Sequence, residues 1–263
     1  MPWVFYQFVY HSLKDVRPRL KGNKLKAFQH LTKKERRILV VGDLHCPFDL
    51  DGYLQFLLDT YAKWNCNQIL MIGDAIDNHY SSFHQTDADG YGGGKELDMA
   101  IKRLSKYRDA FAKICDKKID ICIGNHDRLI MRRAFNSDIP ARWIKSYNEV
   151  LGTDWNWVES IEYDNVLYEH GEGGQAKSKA VKNFMSSVCG HTHTEAYVIW
   201  NIGKKQNTFG MQVGSGIGES YAFAYAKNFR KSAIGCGVVL GGHTAINVLM
   251  PLGKPKPKKS QVL

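Results

Sequence analysis

"ILVVGDLHCPF", residues 38–48, joins four branched apolar residues to a glycine, an aspartate and, two positions further on, a histidine. A run that is apolar at every position, not at alternate ones, predicts a strand covered on both faces, the habit of parallel strands in α/β proteins. Polar groups placed directly after such a strand sit at its carboxyl end. In an open α/β sheet the loops leaving those ends converge on one crevice. An Asp-x-His pair also occurs in ordinary loops, so the meaning of Asp43 and His45 depends on whether other strands end in the same way.

They do. The apolar run at 68–72 is followed by Gly73-Asp74, and the run at 119–123 by Gly124-Asn125-His126-Asp127. "VLYE" (166–169) leads into His170-Gly171, and "SSVC" (186–189) into Gly190-His191-Thr192-His193. Between these strands the spacing predicts helices. Leu54, Leu57, Leu58 and Tyr61 place one over 51–64, and Leu97, Ile101, Leu104 and Phe111 place another over about 95–114. Residues 128–160 predict two more, and a further helical stretch lies near 176–186. Alternating runs at 195–201 and 207–213 flank "IGKKQN" and predict a hairpin. The Gly-rich stretch within 78–94 reads as a loop, and Ser215 to Phe229 is left open between a lid and an interface segment.

Glycine beside most of these polar residues lets the backbone turn sharply and approach closely. Carboxylate oxygen, imidazole nitrogen and amide oxygen together suit manganese, iron or zinc better than magnesium or calcium, which prefer all-oxygen shells.

The order Asp-x-His, Gly-Asp, Gly-Asn-His-Asp, His-Gly and Gly-His-x-His resembles the signature of the calcineurin-like metallophosphoesterase superfamily. Here it stands as Asp43-Leu44-His45, Gly73-Asp74, Gly124-Asn125-His126-Asp127, His170-Gly171 and Gly190-His191-Thr192-His193, spread over about residues 38–215. The resemblance implies an α/β fold in four layers, a two-sheet β-sandwich flanked by helices, with the last third of the chain supplying a second sheet. It implies a two-metal site. Asp43, His45 and His193 would hold one ion, and Asn125, His170 and His191 the other. Asp74 would bridge both, and manganese is the expected metal, with iron or zinc as alternatives. His126, next to a ligand but not one itself, would protonate the leaving oxygen, and its neighbour Asp127 would orient the imidazole.

The pattern departs from the protein Ser/Thr phosphatases of that superfamily, which carry Arg-Gly soon after Gly-Asp and a Gly-Asn-His-Glu. This chain has "GDAIDNHY" and "GNHD". It is more similar to the nucleases and phosphodiesterases related to exonuclease subunits that process DNA ends. Charge agrees with that. The net charge is +10, of which residues 1–37 carry +8 and residues 253–263 carry +4, leaving −2 for residues 38–252. The expected organisation is therefore a basic extension (1–37), a catalytic domain (38–252) and a basic tail (253–263). Basic ends suit a nucleic-acid substrate, gripped through its phosphates. Trp143, Tyr147, Trp155 and Trp157 are candidates for stacking bases. The alternatives are a phosphomonoesterase acting on a nucleotide, a signalling dinucleotide or a phosphoprotein, or a non-catalytic binding scaffold. Against the scaffold, every ligand position is filled and His126 is kept.

No apolar run approaches the ~18 residues of a membrane span, and "MPWVFYQFVYHSL" lacks the basic leader of a signal peptide. Six scattered cysteines without a C-x-x-C pair read as reduced thiols of a cytoplasmic protein rather than as a disulfide framework.

Overall fold

Side chains alternate across a strand, and β1 (Arg37–Val41) uses both of its faces. Ile38 and Val40 enter one apolar cluster while Leu39 and Val41 enter another, which is why the stretch reads as continuously hydrophobic. A computed structural model describes residues 35–83, 90–218 and 231–252. After β1 come α1 (Tyr53–Lys63), β2 (Gln68–Met71), α2 (Gly93–Ile114), β3 (Asp120–Cys122), α3 (Leu129–Asn136), α4 (Tyr147–Leu151) and β4 (Asn156–Val158). Then follow β5 (Ser160–Tyr163), β6 (Val166–Glu169), α5 (Ala176–Lys182), β7 (Ser186–Cys189), β8 (Tyr197–Ile202), β9 (Asn207–Gln212), β10 (Gly235–Leu240) and β11 (Thr244–Leu249).

The strands form two mixed sheets, ordered β11-β10-β1-β2-β3-β4 and β5-β6-β7-β9-β8. In the first, β1 to β4 are parallel and β10 closes antiparallel on β1. In the second, β6, β7 and β9 are parallel, with β5 and β8 antiparallel at the edges. Ile38, Val40, Leu70 and Ile72 meet Val166, Tyr168, Val188, Phe209 and Met211 between the sheets. The opposite face of the first sheet packs Leu39, Val41, Ile69 and Met71 against Tyr53, Leu57, Leu104, Tyr107 and Phe111 of α1 and α2. This is the helix-flanked sandwich that the resemblance implies.

Two expectations are corrected. The last third does not all go into the second sheet, because β10 and β11 return to the edge of the first. "NWV" (156–158), in the unassigned stretch after the two predicted helices, is a parallel strand beside β3. It was missed because a three-residue strand holds too few residues to show a period. The stretch predicted near 176–186 stops at Lys182, since Ser186 already belongs to β7. Apart from residues 35–37, the basic extension and the basic tail lie outside the described residues, as do 84–89 and 219–230. All six cysteines are unpaired and buried. No helix among the described residues is long and apolar enough to cross a membrane.

The loop after β1 is fixed by a buried carboxylate. Both Asp49 oxygens accept from Arg103 Nε at 2.8 Å, and Oδ2 also accepts from the Tyr107 hydroxyl at 2.5 Å. Arg103 and Tyr107 lie one turn apart on α2, so this charge-assisted cluster ties the loop that carries His45 to the longest helix.

Candidate metal centre

The strand ends converge, but not from one sheet. Asp43 follows β1, Asp74 follows β2, and Asn125 and His126 follow β3, all in the first sheet. His170 follows β6, and His191 and His193 follow β7, in the second. The single crevice expected of an open sheet is replaced by a seam where the carboxyl ends of two parallel sets lie side by side. Loops there turn tightly. His45, Asp74 and His191 adopt left-handed backbone conformations, with φ of 50°, 48° and 67°. Non-glycine residues reach that region at a cost of about 1 kcal/mol or more, and such strain concentrates at functional sites.

Seven predicted ligands come together in two overlapping groups. Asp43, His45, Asp74 and His193 each offer a ligand atom within 4.8 Å of the others, as do Asp74, His170 and His191. Asn125 Oδ1 joins the second group, 2.9 Å from both His170 Nε2 and His191 Nδ1. Asp74 belongs to both, as a bridging carboxylate must.

The hydrogen bonds around these rings show what the groups can hold. His170 Nδ1 donates to the Ile72 carbonyl at 3.0 Å, which leaves a bare lone pair on Nε2. That lone pair faces Asn125 Oδ1 at 2.9 Å and Asp74 Oδ2 at 3.2 Å, both acceptors. His45 commits one nitrogen in the same way. Its Nδ1 is bound to Asp77 Oδ1 at 2.7 Å, and its Nε2 faces His193 Nε2 at 3.0 Å and Asp74 Oδ2 at 3.5 Å. Asp43 Oδ2 accepts from the His191 amide at 2.7 Å, while Oδ1 is buried without a hydrogen-bond partner. Lone pairs aimed at lone pairs need a positive charge between them. Burial disfavours charge on His170, yet the adjacent Asp74 carboxylate pushes the imidazole up to about 10, the same demand met by a proton. The residues present therefore fit a pair of divalent cations held by mixed nitrogen and oxygen donors.

His126 stands beside the ligands. Its Nδ1 donates to the Asp77 carbonyl at 2.6 Å, so Nε2 carries a transferable proton when the ring is an imidazolium. Burial lowers its proton affinity, but Asp74 and Asp77 more than compensate and the net shift is upward. Asp127 does not touch this ring. Its carboxylate accepts from the backbone amides of Asp74 and Gly124 at 2.9 Å and of Ala75 at 3.1 Å, bracing the loop that carries the bridge. Asp127 is driven up to about 7 by burial and by the Asp74 charge.

The aspartate that meets these rings is Asp77, through its carboxylate on His45 and its carbonyl on His126. Asp77 went unassigned, although "GDAIDNH" displays a second acid three residues after Asp74. Sequence adjacency favoured Asp127, and only the turn geometry directs its side chain at the backbone.

Of the four aromatic candidates for base stacking, Trp155 is buried in the core, and Tyr147 and Trp157 stack on each other with centroids 4.4 Å apart. Trp143 alone is open, at 77 % exposure. A cavity of about 890 Å³ flanks the centre, sharing Asn78, Asp127 and Arg128 with its loops and lined otherwise mainly by aliphatic side chains.

A family model described as calcineurin-like phosphoesterase matches residues 36–247. The chain belongs to this family. Calcineurin-like phosphoesterases use a dinuclear metal centre, which is what the two groups sharing Asp74 resemble. Among solved structures the chain is similar to Yfce, a phosphoesterase from E. coli, with 15% identity and a TM-score of 0.39 over 77% of this chain and 87% of that one. It is also similar to the nuclease MPE of Pseudomonas putida, with 14% identity and a TM-score of 0.38 over 80% and 86%. Zinc-complexed Vps29 from Entamoeba histolytica gives 15% and 0.38 over 77% and 84%. No curated protein matches the chain in sequence.

Proposed function

We propose that this calcineurin-like phosphoesterase hydrolyses phosphodiester bonds of nucleic acid, DNA foremost, with two manganese ions. The observation that carries the reading is the pair of donor groups that share Asp74, in one of which His170 Nε2 faces only oxygen acceptors. Bound there, a pair of divalent cations supplies hydroxide near neutral pH and neutralises the non-bridging phosphoryl oxygens. Asp43, His45 and His193 would hold one ion, Asn125, His170 and His191 the other, and Asp74 both. His126 gives the proton on Nε2 to the leaving oxygen, held in place by the Asp77 carbonyl on its other nitrogen. Asp127, through three backbone amides, keeps Asp74 and Gly124 in register.

The nucleic-acid part of the reading is supported by the +8 and +4 charges of the two terminal segments beside a body of −2. A polyanion held this way loses affinity with salt, log K falling by about 0.9 per phosphate contact on duplex for each tenfold rise in salt.

The test compares bis-p-nitrophenyl phosphate with p-nitrophenyl phosphate in manganese, then labelled single- and double-stranded DNA and RNA. Preference for the diester and cleavage of a nucleic acid are expected. Strong preference for the monoester overturns the nuclease reading, and normal DNA binding without hydrolysis under any divalent metal overturns catalysis.

A further inference from the structure

Beside the metal centre lies a hydrocarbon-lined space that the chemistry above does not use. The cavity of about 890 Å³ is walled by Leu97 and Ala100 of α2, Ile130 of α3, Ile144, and Val150 and Leu151 of α4. It reaches the centre through two loops. Ile76 and Asn78 come from the loop that carries Asp74, and Asp127 and Arg128 directly follow His126. None of the lining residues belongs to the second sheet, so the cavity borders the centre from the first sheet, the side that carries His126. Asn78 Nδ2 donates to the His126 carbonyl at 3.1 Å, so the cavity wall touches the backbone of the proton donor.

The hydrogen-bonding groups of this wall are mostly spent within the protein. Glu96 accepts the His79 amide at 2.7 Å, and Asp127 holds three backbone amides. Arg128 is paired with Glu159 and Glu172, and Ser146 with Glu149 in the capping box of α4. A nucleobase or sugar entering here would give up hydrogen bonds to water and find few in return. A hydrocarbon chain gives up none and gains by leaving water. The volume lies in the range, about 300–1,000 Å³, of pockets that enclose most of a small ligand. Ile130, 42 % exposed, marks the way in from solvent.

We propose that this cavity receives the hydrocarbon chain of a phosphodiester substrate whose phosphate lies at the metal centre. The chain-bearing alcohol is the leaving group, because the cavity lies beside His126. Water gives its oxygen to phosphorus, and the P–O bond to that alcohol breaks. The alcohol oxygen takes the proton of His126 Nε2, and the proton that water gives up restores the imidazolium. The inference rests on the phosphodiesterase reading of the centre and adds a second class of diester to nucleic acid.

Calorimetry of the full chain in manganese, titrated with ethyl, butyl, hexyl and octyl phosphate, reads the cavity without turnover. Each added methylene is expected to tighten binding by about fourfold while it stays buried. Val150→Trp fills the cavity from α4, and Ile144→Asp puts a charge in its half-buried wall. Either variant is expected to remove most of the gain from ethyl to octyl and to leave ethyl phosphate unchanged. Methyl octyl phosphate is expected to release octanol. Equal affinity for ethyl and octyl phosphate overturns the proposal, as does a gain that survives in both variants. So does thymidine monophosphate that binds more tightly than octyl phosphate and loses that advantage in the variants, which would make the cavity a base site. A chain that cleaves bis-p-nitrophenyl phosphate but releases no octanol overturns it too, whereas cleavage of neither overturns the phosphodiesterase reading itself.

Discussion

His126 is held through Nδ1 by the Asp77 carbonyl, and in the imidazolium form that Asp74 and Asp77 favour its Nε2 carries the proton that can be given away. His126→Ala is therefore expected to keep both metals while turnover falls by about 10² to 10⁴, the usual worth of general-acid help. The loss should grow with the pKa of the leaving group. Metal analysis beside kinetics checks it, and loss of an ion together with activity would make His126 a ligand instead. The seven side chains that converge here were legible residue by residue, because a candidate metal site draws on specific atom types and few side chains offer them. Asp127 and Asp77 were not. Both are aspartates one residue from a histidine or a turn, and which one reaches a ring depends on backbone angles that residue identity does not state. Asp127 spends its carboxylate on three amides, and Asp77 spends its own on His45.

Among elements, the strand-end turns leave no space for a side chain. A Cβ on Gly190 would lie 2.2 Å from Asp43 Oδ1 and 2.5 Å from Ile72 Cγ2, and one on Gly124 would lie 2.0 Å from Asp74 Oδ1. Gly190→Ala should displace Asp43 and lower metal affinity by about 10-fold or more, in line with disturbed outer-shell support. Titration calorimetry with manganese measures this, and an unchanged affinity would show that the turn yields.

Glu96, in the first turn of α2, is buried and accepts the His79 amide at 2.7 Å. Burial pushes its carboxyl up from 4.5 to about 7. The folded chain then holds a proton that the unfolded chain has released, so stability present below pH 4.5 falls as the pH rises toward 7. Glu96→Gln keeps the accepting oxygen without the charge. Its Tm is expected to match wild type near pH 4 and exceed it increasingly up to pH 8. A difference that does not change with pH would contradict this. The helices α1 and α2 were readable from apolar spacing because each packs one face on the first sheet. β4 was not, because three residues hold too few positions to show a period.

For the whole molecule, the centre joins two sheets, so whatever binds it stabilises the sandwich. A ligand at a hundred times its dissociation constant adds about 2.7 kcal/mol when only the folded state binds it. Manganese should raise Tm and a chelator should lower it, and Asp74→Ala, which takes the shared carboxylate from both groups, should abolish the shift along with both ions. Scanning calorimetry with metal analysis decides, and two ions per chain in that variant would refute the bridge. Residue types and their order along the chain determined the candidate donor set, the strands that carry it, and a charge gathered at the two ends, because ligand chemistry and hydrophobic period are local. Only the tertiary structure decided that the donors come from two sheets rather than one, that β10 and β11 return to the first sheet, and which aspartate steers a histidine. Those are matters of strand pairing between residues far apart in sequence, and a local pattern carries no information about which distant edge a strand will join.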